Sequence, residues 1–289
     1  MGRLQNKIFV VTGANSGIGC AAAESFAEQG AEVVLVCRNE ARGRAAQQKI
    51  QQTSGSKSIH LKNADFSSLK SISALADRLL ARYPRIDVLC NNAGGANAGR
   101  KLMEEGFELT FATNHLSGFL LTKKLLPSLL EHEGDPARDV FTSSLGHKNS
   151  LLDFNNLGLE KDYSTLKAYG RNKLMNLLIA REIHARYGDN KLIASSFHPG
   201  AVCTLIWSKG GILARLLGLA MYPSFMWSIE KGADTLNWLA STGDVEVLRA
   251  EGNYFFDRRK PRIADFATDE AAAELWRVSE KLTEPYFQA

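Results

Sequence analysis

The chain has 289 residues, of which 45% are hydrophobic, and its formal net charge is +4. This composition supplies enough apolar side chains for a well-covered core, and the length fits one large α/β domain or two small ones. Lysines and arginines are interspersed with acidic residues and form no long block, so the sequence argues against a nucleic-acid partner.

Secretion and membrane insertion also find no support in the sequence. The residues before the first predicted strand are polar, which argues against a signal peptide. The most apolar stretch, 212–227, contains Arg215 and Pro223 and is short for a membrane span. The four cysteines form no C-x-x-C pair, which predicts free thiols in a reducing compartment. We therefore expect a cytoplasmic protein, with a peripheral membrane contact left open.

Short β-rich runs alternate with longer amphipathic helical patterns along the first two-thirds of the chain. Runs such as IFVVT and VVLVC are apolar without alternation, as expected for strands covered on both faces. The alternation predicts right-handed crossovers and an α/β fold with a doubly wound parallel sheet, the Rossmann fold. The predicted strands are 7–12, 32–37, 58–62, 87–91, 139–142 and 191–197, and the predicted helices are 16–29, 40–53, 69–83, 104–132 and 165–187.

Two segments, 150–164 and 207–229, interrupt the alternation and are interpreted as insertions. A short strand at 253–256 and a helix at 269–282 complete the predicted unit. No linker, repeat or low-complexity tract divides the chain. We therefore expect a single domain over 1–289.

The sequence TGANSGIG directly follows the first predicted strand and opens the first predicted helix. Gly13 permits a tight turn, Gly17 lets the backbone approach a pyrophosphate, and Gly19 lets the helix pack close to the sheet. The helix N-terminus offers free N–H groups to an anion. In this context the loop predicts a dinucleotide site, and its other predicted contact residues are Asn15, Ser16 and Ile18.

The end of the second strand, VLVCRN, indicates which nicotinamide cofactor is used. A carboxylate there would bind the ribose hydroxyls of NAD and repel a 2′-phosphate. Arg38 stands at that position, with Arg42 one helical turn later, and a guanidinium pairs well with phosphate. The pattern predicts NADP(H), with Asn39 in the same pocket. A solvated arginine at a strand end is the open alternative.

Tyr169 and Lys173 are four residues apart in a helical pattern, so both side chains lie on one face. A carbonyl accepts a hydride only when a proton or donor meets the developing oxyanion, and Tyr169 is the predicted acid/base. A cation favours the phenolate, so we expect Lys173 to lower the pKa of Tyr169. Ser144 follows the fifth strand, which places its hydroxyl at the ligand-binding edge of the sheet; Ser143 is the second candidate.

Three motifs follow one another along the chain in this order: TGANSGIG, NNAG at 91–94 and Tyr169-x-x-x-Lys173. On these motifs the chain resembles the short-chain dehydrogenase/reductase family over essentially its whole length. The resemblance implies that Ser144 binds the substrate oxygen and that Lys173 also holds the nicotinamide ribose. It implies that the carbonyl of Asn114 holds a water connecting Lys173 to solvent; alternatively or in addition, this polar residue satisfies a local helix distortion. The implied adenosine contacts are Asp65, Phe66, Asn92, Ala93 and Gly94.

The sequence HPGAVCT follows the sixth strand and, by the same resemblance, passes the nicotinamide. Pro199 and Gly200 form the turn, and Thr204 is the implied contact to the carboxamide or diphosphate. No second histidine stands at ligand spacing from His198, so no metal site is predicted.

Tyr169 follows Ser144 by 25 positions, which is longer than the compact family pattern. The longer spacing resembles that of the retinol dehydrogenase-like branch. The same branch is resembled by three short stretches of the sequence: VCRN, FATNHLSGFLLT and ELWRVSEKL. We expect a small lipophilic aldehyde, ketone or alcohol, retinoid-like by that resemblance, as the substrate. The apolar segment 207–227 predicts a substrate lid near 205–229, with a subunit contact and a membrane contact as second and third interpretations. The resemblance also implies a homodimer or homotetramer through the helices at 104–132 and 165–187, and a monomer whose lid seals the site is the open alternative.

Two other functions stay open. One is a carbon–carbon double-bond reductase of the same fold, whose longer insertions and pigment-binding cysteine find no match here. The other is a non-catalytic NADP(H)-binding sensor or scaffold, which loss of Tyr169 or Lys173 would favour; both residues are present.

Overall fold

Strands and helices alternate along the chain. The computed structural model describes residues 2–132, 134–188, 192–202, 226–244 and 254–287. Within these ranges the strands are β1 (Ile8–Thr12), β2 (Glu32–Cys37), β3 (Ile59–Asn63), β4 (Val88–Asn91), β5 (Ala137–Thr142), β6 (Leu192–His198) and β7 (Tyr254–Phe256). The α-helices are α1 (Gly17–Glu28), α2 (Glu40–Ser54), α3 (Leu69–Arg82), α4 (Leu109–Phe111), α5 (Ser117–Leu130), α6 (Thr165–Tyr187), α7 (Ile229–Ser241) and α8 (Asp269–Thr283).

Seven parallel strands of the described residues form one sheet in the order β3-β2-β1-β4-β5-β6-β7. The chain runs outward from β1 to β3 and then crosses back to β4 on the other side of β1. Ligands of such sheets bind outside the carboxyl ends of the strands at this reversal. The ends of β1 and β4 therefore mark the expected position of a site.

Helices cover both faces of the sheet, which is why the strands are apolar without alternation. One hydrophobic core lies between the sheet and helices α3, α5, α6 and α8. A second core lies between the opposite face and helices α1, α2 and α7. This arrangement confirms the predicted α/β class, a doubly wound parallel sheet in a single domain.

The predicted helix at 104–132 differs in the structure. Gly106 has a left-handed backbone with φ of 86°, and the Glu108 side chain accepts hydrogen bonds from the N–H groups of Thr110 and Phe111. This cap starts the helix only at Leu109. A π-helical turn at Ala112–Leu116 separates α4 from α5.

The region after β6 also departs from the sequence interpretation. The sequence analysis assigned no helix to 229–241, where α7 lies; Ser228 caps α7 by accepting a hydrogen bond from the N–H of Lys231. Residues 203–225, on which most of the predicted lid near 205–229 falls, lie outside the described residues. Among the helices that are described, none combines the length and apolar character needed to cross a membrane.

Candidate active site

The glycine-rich turn between β1 and α1 has the backbone that its sequence predicts. Gly13 and Gly17 have φ angles of +67° and +57°, which favour glycine. A Cβ on Gly19 would lie 2.5 Å from Asn92 Nδ2 and 2.7 Å from the Gly13 carbonyl oxygen. The helix and the turn can therefore approach this closely only because residue 19 is glycine.

The turn after β4 is tied to the end of β1 by Thr12, a residue that the sequence analysis did not select. The Thr12 hydroxyl accepts hydrogen bonds from the N–H groups of Asn92 and Ala93, both at 2.9 Å, and donates to the Cys90 carbonyl. The Asn92 side chain donates to the Thr12 carbonyl at 3.0 Å. These bonds hold the predicted ribose-binding turn directly beside the glycine loop.

Arg38 lies at the end of β2, as predicted. Its side chain is 66% exposed, and one guanidinium nitrogen lies 3.8 Å from a carboxylate oxygen of Asp65, which follows β3. Asn39 caps α2 by accepting a hydrogen bond from the N–H of Arg42 at 2.9 Å. Phe66, next to Asp65, is buried and accepts a hydrogen bond from Ser117 through its carbonyl. The structure thus brings the predicted residues of strands β2 and β3 to one edge.

Tyr169, Ser144 and Lys173 meet at the carboxyl edge of the sheet. Tyr169 and Lys173 lie near the start of α6, and the Lys173 ammonium nitrogen is 5.4 Å from the centre of the Tyr169 ring. Ser144 follows β5 and forms a hydrogen bond with Tyr169. Lys173 is buried and donates to the Thr142 carbonyl at 2.9 Å. The three predicted side chains are therefore within reach of one another.

Burial is the main influence on the pKa values of Tyr169 and Lys173. It raises the pKa of Tyr169 above its usual value, and the Ser144 hydrogen bond opposes that rise by less. Burial also lowers the pKa of Lys173 to about 8. Burial thus raises the pKa of Tyr169 overall, an effect that the expectation based on the Lys173 cation did not include, because removal from water disfavours the charged form of each side chain.

Asn114 lies inside the π-helical turn between α4 and α5. Its side chain accepts a hydrogen bond from the Gly95 N–H and donates one to the Gly95 carbonyl, both at 2.8 Å. A Cβ on Gly94 would lie 2.8 Å from Asn114 Oδ1 and 3.8 Å from Lys173 Nζ. The helix distortion considered for Asn114 is present, but its side chain bonds to Gly95, directly after the NNAG motif, instead of to its own helix.

The turn after β6 places Pro199 and Gly200 at the same edge of the sheet. Gly200 has φ of +85°, and a Cβ there would lie 2.4 Å from the Trp227 ring. The backbone N–H of Trp227 donates a hydrogen bond to the Ala201 carbonyl at 2.8 Å. Thr204, the remaining predicted cofactor contact, lies outside the described residues. Among the residues that are described, no group of three or more histidine, cysteine or acidic side chains could hold a metal ion.

The long segment between Ser144 and Tyr169 is tied to the loop that follows the NNAG motif. It begins with a 3-10 helix at Leu145–Asn149. The hydroxyls of Tyr163 and Thr165 both donate to the Asn97 carbonyl, at 3.2 and 3.0 Å. The Arg100 side chain donates to the Gly158 carbonyl at 3.2 Å. These bonds join the insertion to the loop that follows the NNAG motif at the rim of the site.

Comparison with known proteins agrees with these motifs. A family model described as short chain dehydrogenase matches residues 7–208. The chain is 38% identical over 280 residues to a Streptomyces sp. (strain C5) protein named daunorubicin C-13 ketoreductase DnrU, a match that spans 96% of this chain and 93% of the relative. It is 36% identical over 278 residues to retinol dehydrogenase 12 of Mus musculus, spanning 96% of this chain and 86% of the relative.

A solved structure of an uncharacterised protein from Mycobacterium paratuberculosis has the same fold. It superimposes with a TM-score of 0.77 at 28% identity, covering 97% of this chain and 94% of the other. Together the matches confirm the resemblance to the retinol dehydrogenase-like branch. The family comprises nicotinamide-dependent oxidoreductases that act on carbonyl and alcohol groups of small molecules. The chain belongs to the short-chain dehydrogenase/reductase family.

Proposed function

We propose that this protein is an NADP(H)-dependent oxidoreductase that moves a hydride between the nicotinamide and a carbonyl or alcohol carbon of a small lipophilic substrate. The observation that carries the proposal is the meeting of Tyr169, Ser144 and Lys173 at the carboxyl edge of the sheet. An oxyanion that forms on the substrate needs a proton source and hydrogen-bond donors in one place. These side chains supply both.

Each of the three side chains has a separate task in this proposal. When bound, the nicotinamide supplies or accepts the hydride. Tyr169, whose pKa burial raises above its ordinary value, donates its proton to the substrate oxygen in the reducing direction and regains it in the oxidising direction. Ser144 holds the same oxygen through a hydrogen bond. The Lys173 ammonium stabilises the phenolate that remains after Tyr169 has lost its proton.

Asn114 completes the proposed catalytic set. A π-helical turn in an α-helix is frequently found at a functional site, and the turn at Ala112–Leu116 contains this residue. We assign its carbonyl to a water that connects Lys173 with solvent. Its side chain holds Gly95 and so supports the neighbouring NNAG turn.

The residues around the β1–α1 turn fit the pyrophosphate of a dinucleotide. The Ser16 side chain caps none of the N–H groups at the start of α1, and the first turn of α1 contains no acidic residue. Uncapped N–H groups at a helix N-terminus attract an anion. The left-handed backbone at Gly13 and Gly17 shapes the turn. Asn15 and Ile18 are the remaining proposed contacts in this loop.

Arg38 supports NADP(H) over NAD(H). Its guanidinium is largely exposed at the end of β2, at the position where a carboxylate would select the ribose hydroxyls. We place the adenine near Asp65 and Phe66, with Asn39 beside the phosphate. The ribose contacts are residues 92–94, and the turn at Pro199 and Gly200 borders the nicotinamide. Thr204 stays a prediction.

Apolar side chains beside the site support a lipophilic substrate. Leu145 directly follows Ser144 and is 45% exposed, and Leu166 lies one helical turn before Tyr169 and is 69% exposed. Two relatives are named for an alcohol, retinol, and for the C-13 ketone of daunorubicin. The substrate lid near 205–229 stays a prediction.

A nucleotide titration followed by a turnover assay tests the proposal. We expect NADPH to bind much more tightly than NADH by fluorescence, and a panel of aliphatic, aromatic and retinoid aldehydes to contain at least one compound that oxidises NADPH. Binding without turnover of any compound would favour the sensor function. Failure of the folded protein to bind either nucleotide would contradict the proposal as a whole.

The variant Tyr169→Phe tests the catalytic assignment. It removes the proton donor while retaining the ring, so we expect turnover to fall below about 1% of wild type, with little change in the Kd of NADPH. Tyr187→Phe, at the other end of α6, is the matched control and should retain full activity. Substantial turnover by Tyr169→Phe would overturn the assignment.

A further inference from the structure

A group of buried polar side chains adjoins the proposed catalytic site. His147, in the 3-10 helix after Ser144, is 0% exposed and packs edge to face on Tyr254, with the ring centres 4.7 Å apart. Tyr254 lies close enough to Tyr169 that a charge on Tyr169 raises the pKa of Tyr254. Among the described residues, His147 Nε2 and Tyr254 Oη have no hydrogen-bond partner. A buried imidazole at this position calls for an explanation, since unpaired buried polar atoms are rare.

The other ring nitrogen of His147 has a well-defined partner. Nδ1 lies 2.7 Å from the carbonyl oxygen of Ser144. A carbonyl oxygen can only accept, so Nδ1 must carry the proton. Burial lowers the pKa of His147, which keeps the ring neutral and leaves Nε2 without a proton. The geometry therefore selects one tautomer, in which His147 donates to the backbone of Ser144.

The carbonyl of Ser144 is held by two groups of His147, the ring nitrogen at 2.7 Å and the backbone N–H at 3.2 Å. The hydroxyl oxygen of Ser144 accepts a long hydrogen bond of 3.3 Å from the Gly146 N–H. The Ser144 backbone is extended, with φ of −165° and ψ of 160°, at the start of the 3-10 helix. The carbonyl that His147 holds belongs to the residue whose hydroxyl contacts Tyr169. A displacement of that carbonyl would also displace the hydroxyl.

We propose that His147 is a positioning residue that holds Ser144, through its backbone carbonyl, in the orientation required for the Ser144 hydroxyl to act together with Tyr169. This inference rests on the proposed function, because it assigns His147 a part in the same reaction. His147 does not touch the substrate. Its contribution is orientation, and misplacement of a reacting group by about 1 Å can reduce a rate by about 100-fold.

The pair His147→Asn and His147→Leu separates the hydrogen bond from packing. The two replacement side chains have nearly the same size and leave the same space where the ring was. The amide nitrogen of asparagine occupies the place of Nδ1 and can donate to the Ser144 carbonyl, whereas leucine cannot. We expect His147→Leu to lower kcat by about 10- to 100-fold and His147→Asn to stay within about threefold of wild type. The KM for NADPH should be unchanged in both.

The readouts distinguish this inference from the proposed function. Ser144→Ala in the same assay reports whether Ser144 takes part in the reaction at all. Equal activity of His147→Leu and wild type, while Ser144→Ala is inactive, would overturn the inference and leave the function intact. Equal impairment of the leucine and asparagine variants would assign His147 to packing alone. Absence of turnover in the wild-type protein would remove both proposals.

A measurement on the unmodified protein covers the case in which His147→Leu does not fold. Long-range ¹H–¹⁵N NMR spectra distinguish the two neutral tautomers, and the chain has six histidines. The His147 signals are assigned by their loss in His147→Asn. We expect a protonated Nδ1 and an unprotonated Nε2. A proton on Nε2 would leave the His147 ring without a donor for the Ser144 carbonyl and would overturn the inference.

Discussion

The charge of a single side chain, Arg38, is expected to set the cofactor preference. Arg38→Asp replaces a phosphate-binding cation with a carboxylate that repels the 2′-phosphate. We predict that the Kd of NADPH rises by at least about 100-fold, the equivalent of roughly 3 kcal/mol, while the Kd of NADH changes far less. Fluorescence titration measures both. Arg44→Asp introduces the same change of charge in the exposed pair with Glu40 and is the matched control. Equal losses for the two cofactors would exclude Arg38 from the 2′-phosphate site.

A buried carboxyl group, Asp139 in β5, is expected to make stability depend on pH. Its side chain accepts hydrogen bonds from Thr122 at 2.8 Å and from Asn91 at 2.9 Å. Burial nevertheless raises the pKa of Asp139 from 3.8 to about 7. Because the folded protein binds this proton more tightly than the unfolded chain, the contribution of Asp139 to stability is complete below about pH 4 and is lost as the pH rises to about 7.

The variant Asp139→Asn tests this dependence, since an amide carries no charge at any pH. We predict that the free energy of unfolding of the variant minus that of wild type increases by up to about 1.4 kcal/mol for each pH unit between pH 4 and 7. Urea unfolding at several pH values measures the difference. Parallel curves for the two proteins across this range would contradict the assigned pKa of Asp139.

At the scale of single residues, the sequence was sufficient to select the candidate catalytic side chains, but it did not reveal how deeply the fold buries them. The spacing of Tyr169 and Lys173 correctly placed the two on one helical face. The pKa of Tyr169 was expected to fall, because the reasoning counted the nearby cation but could not count the water excluded by the fold. Thr12 and His147 were missed because their contacts join residues whose proximity only the tertiary structure reveals.

At the scale of elements, the start of α1 interlocks with the turn after β4. A Cβ on Gly19 would meet Asn92 Nδ2 at 2.5 Å and the Gly13 carbonyl oxygen at 2.7 Å. The second of these atoms is backbone and cannot move without opening the dinucleotide turn. We predict that Gly19→Ala lowers the free energy of unfolding by about 1–3 kcal/mol and greatly weakens NADPH binding.

Thermal denaturation and NADPH titration measure the two effects of Gly19→Ala. Gly243→Ala is the control for the change of glycine to alanine, since a Cβ there would meet nothing within 4 Å. It should leave both quantities nearly unchanged. Unaltered NADPH affinity in Gly19→Ala would show that the turn tolerates the displacement and that its close packing does not serve the cofactor.

The strands and most helices could be predicted because their sequence patterns are local. The uninterrupted apolar runs of β1 and β2 reflect helices on both faces of the sheet. The helix expected at 104–132 was placed too early, because its start depends on the Glu108 cap and the left-handed Gly106. Helix α7 was missed although Ser228 and the amphipathic residues after it carry a helix pattern; the predicted insertion ended at 229, and the residues that follow were given no element.

At the scale of the whole molecule, the C-terminal helix α8 lies against α5 and α6. Trp276 of α8 is 1% exposed and packs edge to face on Phe119 of α5 at 5.1 Å. The guanidinium of Arg186, from α6, lies 4.5 Å from the centre of its ring. Ser279 is within hydrogen-bond distance, 2.8 Å, of His115. The helices through which the family resemblance implied a dimer or tetramer are thus partly covered by the chain's own last helix.

We predict from this packing that the protein is a monomer in solution. A stable interface needs about 800 Å² of surface from each partner, and α8 already buries the aromatic side chains of this face. Sedimentation or light scattering should give the mass of one chain, 31.7 kDa, independent of concentration. Trp276→Ala removes the main anchor of α8, so we expect a loss of about 3–5 kcal/mol in stability and the appearance of larger species as apolar surface becomes exposed. A wild-type dimer that persists on dilution would contradict the prediction and would direct attention to a face that α8 leaves open.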